Sequence, residues 1–157
     1  MNLGAPLRIG IISDTHGLLR PEISEVFKNV DHILHAGDVG DIAVLHQLSK
    51  IAPVTAVRGN TDVSPECRKL PICETISLAS AEIFMHHGHL EEFNIVPHGT
   101  NVLVSGHTHA PRIFWRENVL VMNPGSAGPR RFSLPVSVGI LTIYNKARSA
   151  EIIQLSI

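Results

Sequence analysis

The sequence predicts a mixed α/β domain built on two packed β-sheets, and three observations point there. The first half alternates short apolar strands with helical stretches, the last third reads as antiparallel hairpins, and the metal-binding and acid–base residue types gather at strand ends. At 157 residues the chain is expected to form one domain, 1–157, large enough to bury a core.

The elements follow in order. "LRIGIIS" (7–13) is a nearly continuous apolar run, which marks a strand buried on both faces. "PEISEVFKN" (21–29) opens on proline, which suits a first helical turn, and spaces Ile23, Val26 and Phe27 at helical intervals. "DHILHAGD" (31–38) predicts a second strand. "DIAVLHQLSKI" (41–51) has an Asp cap followed by Ile42, Leu45 and Leu48 on one face, and predicts a helix. "PVTAVRGN" (53–60) gives a third strand, and further strands fall at 74–78, 82–86 and 101–104, with a partly helical "LEEFNIV" between the last two. Strand–helix alternation implies parallel strands with helical crossovers. "PRIFWRENVLVMNPGS" and "PVSVGILTIYNKARSAEIIQLSI" read as hairpins turning near Glu117-Asn118 and Asn145-Lys146.

Composition excludes several classes. Hydrophobic residues make up 44% and charged residues 17%, with a formal net charge of −1, so no basic excess points to long nucleic acid or an anionic membrane. No apolar stretch approaches the ~20 residues of a membrane helix. The opening "MNLGAPLRIGIISD" lacks a cationic segment followed by a long apolar run, and Cys67 and Cys73 are too few for a disulfide framework. A cytoplasmic protein with free thiols is expected. A homo-oligomer paired through the hairpin edges stays open. Ten histidines against five Phe, one Tyr and one Trp is the unusual count.

Their placement is informative. Five successive strands end in polar groups: Asp14 and His16; Asp38; Asn60 and Asp62; His86, His87 and His89; His107 and His109. Ligands of open α/β sheets bind at the carboxyl ends of strands, where the loops converge. Gly17, Gly37, Gly59 and Gly106 beside these groups permit tight turns and close backbone approach. His107 and His109, two apart at a strand exit, can face one point. Each piece alone has an ordinary explanation as a cap, a turn residue or a surface histidine. Together, four His, two Asp and one Asn are too many for one tetrahedral ion and about right for two divalent ions sharing a carboxylate.

The blocks D14-T-H16, G37-D38, G59-N60-T-D62, H87-G-H89 and G106-H107-T-H109, in this order, resemble the signature of the calcineurin-like metallophosphoesterase superfamily. N123-P-G-S126 resembles a further block of its small single-domain prokaryotic phosphodiesterase branch. The resemblance runs from about residue 8 to about 145. It implies a four-layer α/β/β/α sandwich of two mixed sheets with a binuclear centre. Asp14, His16 and His109 would hold one metal, Asn60, His87 and His107 the other, and Asp38 would bridge them. Asp38, Asn60 and His87 are the residues expected at the heart of catalysis. The cofactor is expected to be two divalent ions per chain, Mn²⁺ first, with Zn²⁺, Ni²⁺, Fe²⁺ or Mg²⁺ as alternatives.

The implied activity is hydrolysis of small phosphodiesters by a metal-bridging hydroxide. A histidine common in the family after the third-block asparagine is Thr61 here, which leaves the leaving-group acid unassigned and favours diesters with good leaving groups over alkyl monoesters. Asp62 is read as a hydrogen-bond partner behind the site, and His89 and Arg130 as candidate substrate contacts. His86 is placed on the opposite face of its strand, and His32, His35, His46 and His98 are read as structural or surface residues. Two alternatives stand beside this reading: a non-catalytic protein-interaction scaffold on the same fold, as in eukaryotic relatives of membrane-coat assembly that have lost ligands, and a metal-dependent hydrolase of a non-phosphate ester.

Overall fold

The structure, a computed structural model, describes residues 4–157. The first three residues of the expected 1–157 domain, which also open the stretch read for a signal sequence, lie outside the described residues.

Two five-stranded mixed sheets stack face to face. The first runs β10-β9-β1-β2-β3 and the second β4-β5-β6-β8-β7. In the first, β1 (Leu7–Ile12), β2 (His32–His35) and β3 (Val54–Ala56) are parallel, as their helical crossovers require. The hairpin β9 (Ser137–Tyr144) and β10 (Ala147–Gln154) adds antiparallel to β1. In the second, β5 (Ala81–His86), β6 (Val102–Val104) and β8 (Val119–Asn123) are parallel, while β4 (Cys73–Leu78) and β7 (Arg112–Arg116) pair antiparallel at the two edges. The turns fall where expected, at Glu117-Asn118 and Asn145-Lys146, with positive φ at Glu117 and Asn145.

Alternation along the strands separates two cores. Ile9, Ile11, Leu34 and Leu141 of the first sheet meet Ile83, Met85, Val104 and Met122 of the second between the sheets. Ile12, Ile33, Val138 and Ile140 face the other way, against Ile23 of the first helix and Phe27 just past its end, and against Val44 and Leu48 of the second. The burial of these sixteen apolar side chains, at about 25 cal/mol per Å², holds the layers together.

The helices differ from each other. α2 (Ile42–Ser49) has the expected cap, Asp41 Oδ1 accepting from the Ala43 amide at 2.9 Å. α1 is shorter than the 21–29 span, covering Glu22–Val26 after Pro21. Its end tightens into turns, Lys28 N to Glu25 O and Val30 N to Phe27 O, because the chain must re-enter the sheet at His32. Both α-helices lie on the first sheet. The layer outside the second sheet is thin, a 3-10 turn at Glu91–Asn94 whose Phe93 packs on Phe84, Leu103 and Val121.

Candidate metal centre

The carboxyl ends of β1, β2 and β3 from one sheet and β5 and β6 from the other meet at one edge of the sandwich. The expected five successive strands are therefore three and two from facing sheets. β4 intervenes in the chain, but it runs antiparallel to β5 and its carboxyl end lies at the opposite edge.

Two carboxylates are built alike. Asp14 Oδ2 accepts from Ser13 Oγ at 2.8 Å and from the His107 amide at 3.1 Å. Its Oδ1 is buried without a hydrogen-bond partner, 3.3 Å from His109 Nε2, 3.8 Å from His87 Nε2 and 3.9 Å from His16 Nε2. Asp38 Oδ1 accepts from the Thr61 amide at 2.9 Å, and its Oδ2 lies 3.2 Å from His87 Nε2 and 3.8 Å from His16 Nε2. One oxygen of each is thus fixed by the protein, and the other faces imidazole nitrogens.

The histidines are oriented to match. His87 Nδ1 lies 2.8 Å from the Ala36 carbonyl, so this nitrogen carries the proton and donates. Nε2 is left toward the carboxylates, buried and unpartnered. His16 Nε2 and His109 Nε2 are 3.4 Å apart, and His107 Nδ1 is 3.2 Å from Asn60 Oδ1. Two clusters result, Asp14–His16–His109 and Asp38–His87–His107, each with donor atoms within 4.8 Å of one another. Asn60 joins the second through His107. Buried acceptor atoms with no donor, such as Asp14 Oδ1, cost about 1–3 kcal/mol each in a folded protein. Cations at the two clusters would satisfy them, so the residues present fit divalent metals.

Titration reflects the crowding. Burial opposes ionisation of Asp38, but the His87 imidazole and the Thr61 amide outweigh it and hold the carboxyl below the usual carboxylate range. Burial likewise works against the charged form of His87, and the Asp38 and Asp14 carboxylates reverse it and raise the ring's pKa. His109 is lowered, by burial first, with Arg131 and His16 adding to the shift and Asp14 opposing it.

The backbone is strained where the ligands sit. Asp14, His16, Asp38, His107 and His109 all have positive φ, between 46° and 72°, a region non-glycine residues rarely occupy. Two glycines make the loops fit. A Cβ on Gly59 would overlap Asp38 Oδ1, and one on Gly106 would overlap Ser13 Oγ.

Support for the loops comes from residues inside the motif blocks and from one outside them, His35. Asp62, 3% exposed, does not face the clusters. It accepts from the amides of Val39 (3.2 Å), Gly40 (2.9 Å) and Gly59 (2.8 Å), tying the Asp38 loop to the Asn60 loop. His35, read as structural, lies directly behind the site. Its Nε2 meets Thr15 Oγ1 at 3.0 Å and its Nδ1 accepts from the Gly37 amide at 3.2 Å. Burial first, and then the charge of His87, lower its pKa to about 3, so the ring is neutral. Asn123 Nδ2 donates to Gly106 O and Thr108 Oγ1, and Ser126 Oγ donates to Asp14 O, so the N-P-G-S loop braces two ligand loops at once.

The outer candidates divide. His89 sits beside the second cluster, its ring 5.5 Å from His87 and 6.2 Å from His107, with Nδ1 unpartnered. Arg130 is exposed, and of the two arginines in the G-P-R-R-F loop it is Arg131 whose charge reaches His109. His86 faces away, as expected, against Phe84 and Phe93.

Fold and donor set define a metal-dependent hydrolase on an α/β sandwich. A family model for the calcineurin-like phosphoesterase superfamily domain matches residues 7–146, and the chain belongs to that superfamily. A probable metallophosphoesterase of Methanothermobacter thermautotrophicus is 36% identical over 159 residues, covering 93% of this chain and 91% of the relative. The solved structure of an archaeal phosphodiesterase superposes with a TM-score of 0.77 at 27% identity, covering 94% of this chain and all of that one. Vps29 of Chaetomium thermophilum shares the fold, with a TM-score of 0.76 at 19% identity over 95% of this chain and 97% of that one.

Proposed function

We propose that the protein is a binuclear phosphodiesterase, with the whole chain forming one catalytic domain that hydrolyses small phosphodiesters. The observation that carries this reading is the pair of clusters, Asp14–His16–His109 and Asp38–His87–His107, with Asp38 Oδ2 within reach of histidines from both. Asn60 completes the second cluster, and Asp38 is the candidate bridge. When bound, two divalent ions, Mn²⁺ first among them, would supply an acidified water and positive charge against the phosphoryl oxygens.

The protein's own residues do the rest. The pinned oxygens of Asp14 and Asp38 keep their free partners aimed inward. Asp38 stays ionised through neutral pH, so it offers a full negative charge without releasing a proton. The Ala36 carbonyl keeps His87 in the tautomer whose Nε2 is a donor atom for metal. His89, its Nδ1 unpartnered and its ring beside His107, would hydrogen-bond a phosphoryl oxygen, and Arg131 would add positive charge on the His109 side. Thr61 offers the leaving group no acid of useful pKa, which favours diesters whose leaving groups depart unprotonated.

No helix among the described residues is long and apolar enough to cross a membrane. A cytoplasmic location belongs to the same reading. The test is to strip metal and follow bis(p-nitrophenyl) phosphate hydrolysis while titrating Mn²⁺. Turnover that saturates near about two equivalents, and is absent in His107→Ala, is expected. Tight binding of metal without turnover of any diester would overturn the phosphodiesterase.

A further inference from the structure

The outer face of the second sheet holds a cavity of about 360 Å³ that the metal chemistry does not use. Its floor is Leu103, Phe114 and Val121, and His86, Arg112 and Arg116 stand around it. We propose that this cavity is a second ligand site, separate from the metal centre, that binds a small phosphomonoester dianion carried on a flat ring.

Three observations support it. First, Arg112, Phe114 and Arg116 occupy alternate positions of β7 and so share a face. The Arg112 guanidinium lies 4.2 Å above the Phe114 ring and that of Arg116 5.7 Å from it. Neither is ion-paired: apart from histidine–carboxylate contacts, the ion pair among the described residues is Lys28–Glu25. Two free guanidiniums on one apolar floor match a dianion, and each can present a fork of N–H donors to phosphate oxygens.

Second, His86 lines the cavity while only 2% exposed, and its Nδ1 has no hydrogen-bond partner. The ring packs against Phe84 and Phe93, at centroid distances of 5.8 and 5.9 Å. A buried imidazole whose Nδ1 has no partner, in the wall of a cavity, is a group that a ligand can satisfy with a small turn of the ring. Third, the cavity size falls within the range of small-molecule sites, and its apolar and aromatic floor is rimmed by polar groups, Ser105, Thr108 and Asn123 beside the two arginines.

The cavity backs onto the metal centre. Gly106 and Thr108 line it from the loop that carries His107 and His109, and Gly88 from the turn after His87. An occupant would press on the reverse side of both loops. Phosphomonoesters are also the class that diester hydrolysis releases, although the binding inference does not depend on that reaction.

The test is equilibrium dialysis of phenylphosphonate, which has a flat ring, a dianionic head and no bond to hydrolyse, against the Mn²⁺-loaded chain. Two classes of site are expected. One should vanish in Asp38→Asn. The other should weaken by about tenfold or more in Arg112→Ala/Arg116→Ala, and also in His86→Phe, which keeps the ring stack and removes the nitrogens. The arginine pair variant should hydrolyse bis(p-nitrophenyl) phosphate within about twofold of wild type, since both changes lie on the surface. A single class of site, lost in Asp38→Asn and indifferent to the arginine pair, would overturn the proposal. Benzoate binding as tightly as phenylphosphonate would overturn the dianion, and inorganic phosphate binding as tightly would overturn the ring.

Discussion

Gly59→Ala places a single methyl group against the candidate bridging carboxylate. The Gly59 φ lies outside the left-handed region, so alanine suits its backbone and the damage must come from contact alone. The added Cβ would overlap both Asp38 Oδ1 and the Asp38 amide nitrogen. Gly59 cannot retreat easily, because its amide donates to Asp62 Oδ2 at 2.8 Å. The Asp38 turn must therefore yield, by about 1 Å for a methyl-sized overlap. Asp38 Oδ2 is 3.2 Å from His87 Nε2, and a displacement of that size far exceeds the ~0.2 Å within which metal–donor distances hold. Overpacking of this kind costs about 1–3 kcal/mol of stability. At about 2–4 °C per kcal/mol for a chain of this length, the melting midpoint should fall by several degrees. Misplacing a reacting group by ~1 Å costs about 100-fold in rate. The assay is kcat/KM for bis(p-nitrophenyl) phosphate at saturating Mn²⁺, beside a thermal melt. Gly4→Ala, whose Cβ would meet nothing within 4 Å, is the control and should match wild type. Wild-type turnover and metal stoichiometry in Gly59→Ala would refute the placement of Asp38 at the centre.

Other consequences can be measured alongside. Asp62→Asn leaves an amide facing backbone N–H donors that a carboxylate now accepts, and should lower stability by about 2–4 kcal/mol in denaturant melts while sparing purified folded protein's metal stoichiometry. Chelation should lower the melting midpoint, since metal binds the folded clusters and scarcely the unfolded chain, and added Mn²⁺ should restore it in a concentration-dependent way. His35, held near 3 when folded and near 6.5 when unfolded, makes the unfolded chain take up a proton that the folded one refuses. It should therefore reduce stability as pH falls from about 6.5 toward 3, by up to about 1.4 kcal/mol per unit, and His35→Gln should make the pH dependence of metal-free denaturant melts shallower by that share, His86 and the other lowered histidines keeping the rest. With Thr61 in place of an acid, p-nitrophenyl diesters should be hydrolysed faster than alkyl monoesters under the same metal conditions, and a preference for alkyl monoesters would count against that account.

Most of the fold was legible because its signals are local. The continuous apolar runs fixed β1 and β2, Asp41 announced α2, and two-residue turns located both terminal hairpins. α1 was read too long because Phe27 keeps helical spacing while serving a core contact beyond the helix end. The ligand positions were legible for a different reason, as chemically distinct residues recurring where apolar runs stop. What supports them was not. His35 looks like any strand histidine, and its two hydrogen bonds join segments 20 residues apart in one case and 2 in the other. Asp62 reads as a hydrogen-bond partner behind the site, but which three amides from two loops it gathers is visible only in the fold. Arg131 and Arg130 are neighbours that sequence cannot rank, since only the path of the loop decides which charge lies near His109.

The left-handed backbone at Asp14, His16, Asp38, His107 and His109 bears on how such a protein tolerates change. Glycine occupies that conformation without strain, so each of these positions favours a residue that cannot bind metal. In the metal-free chain, His16→Gly or His109→Gly should relieve strain and also thin the crowd of facing donors. Selection for heat resistance alone, with no demand for turnover, would therefore be expected to erode the ligands before the core, leaving a sturdier sandwich with nothing at its edge.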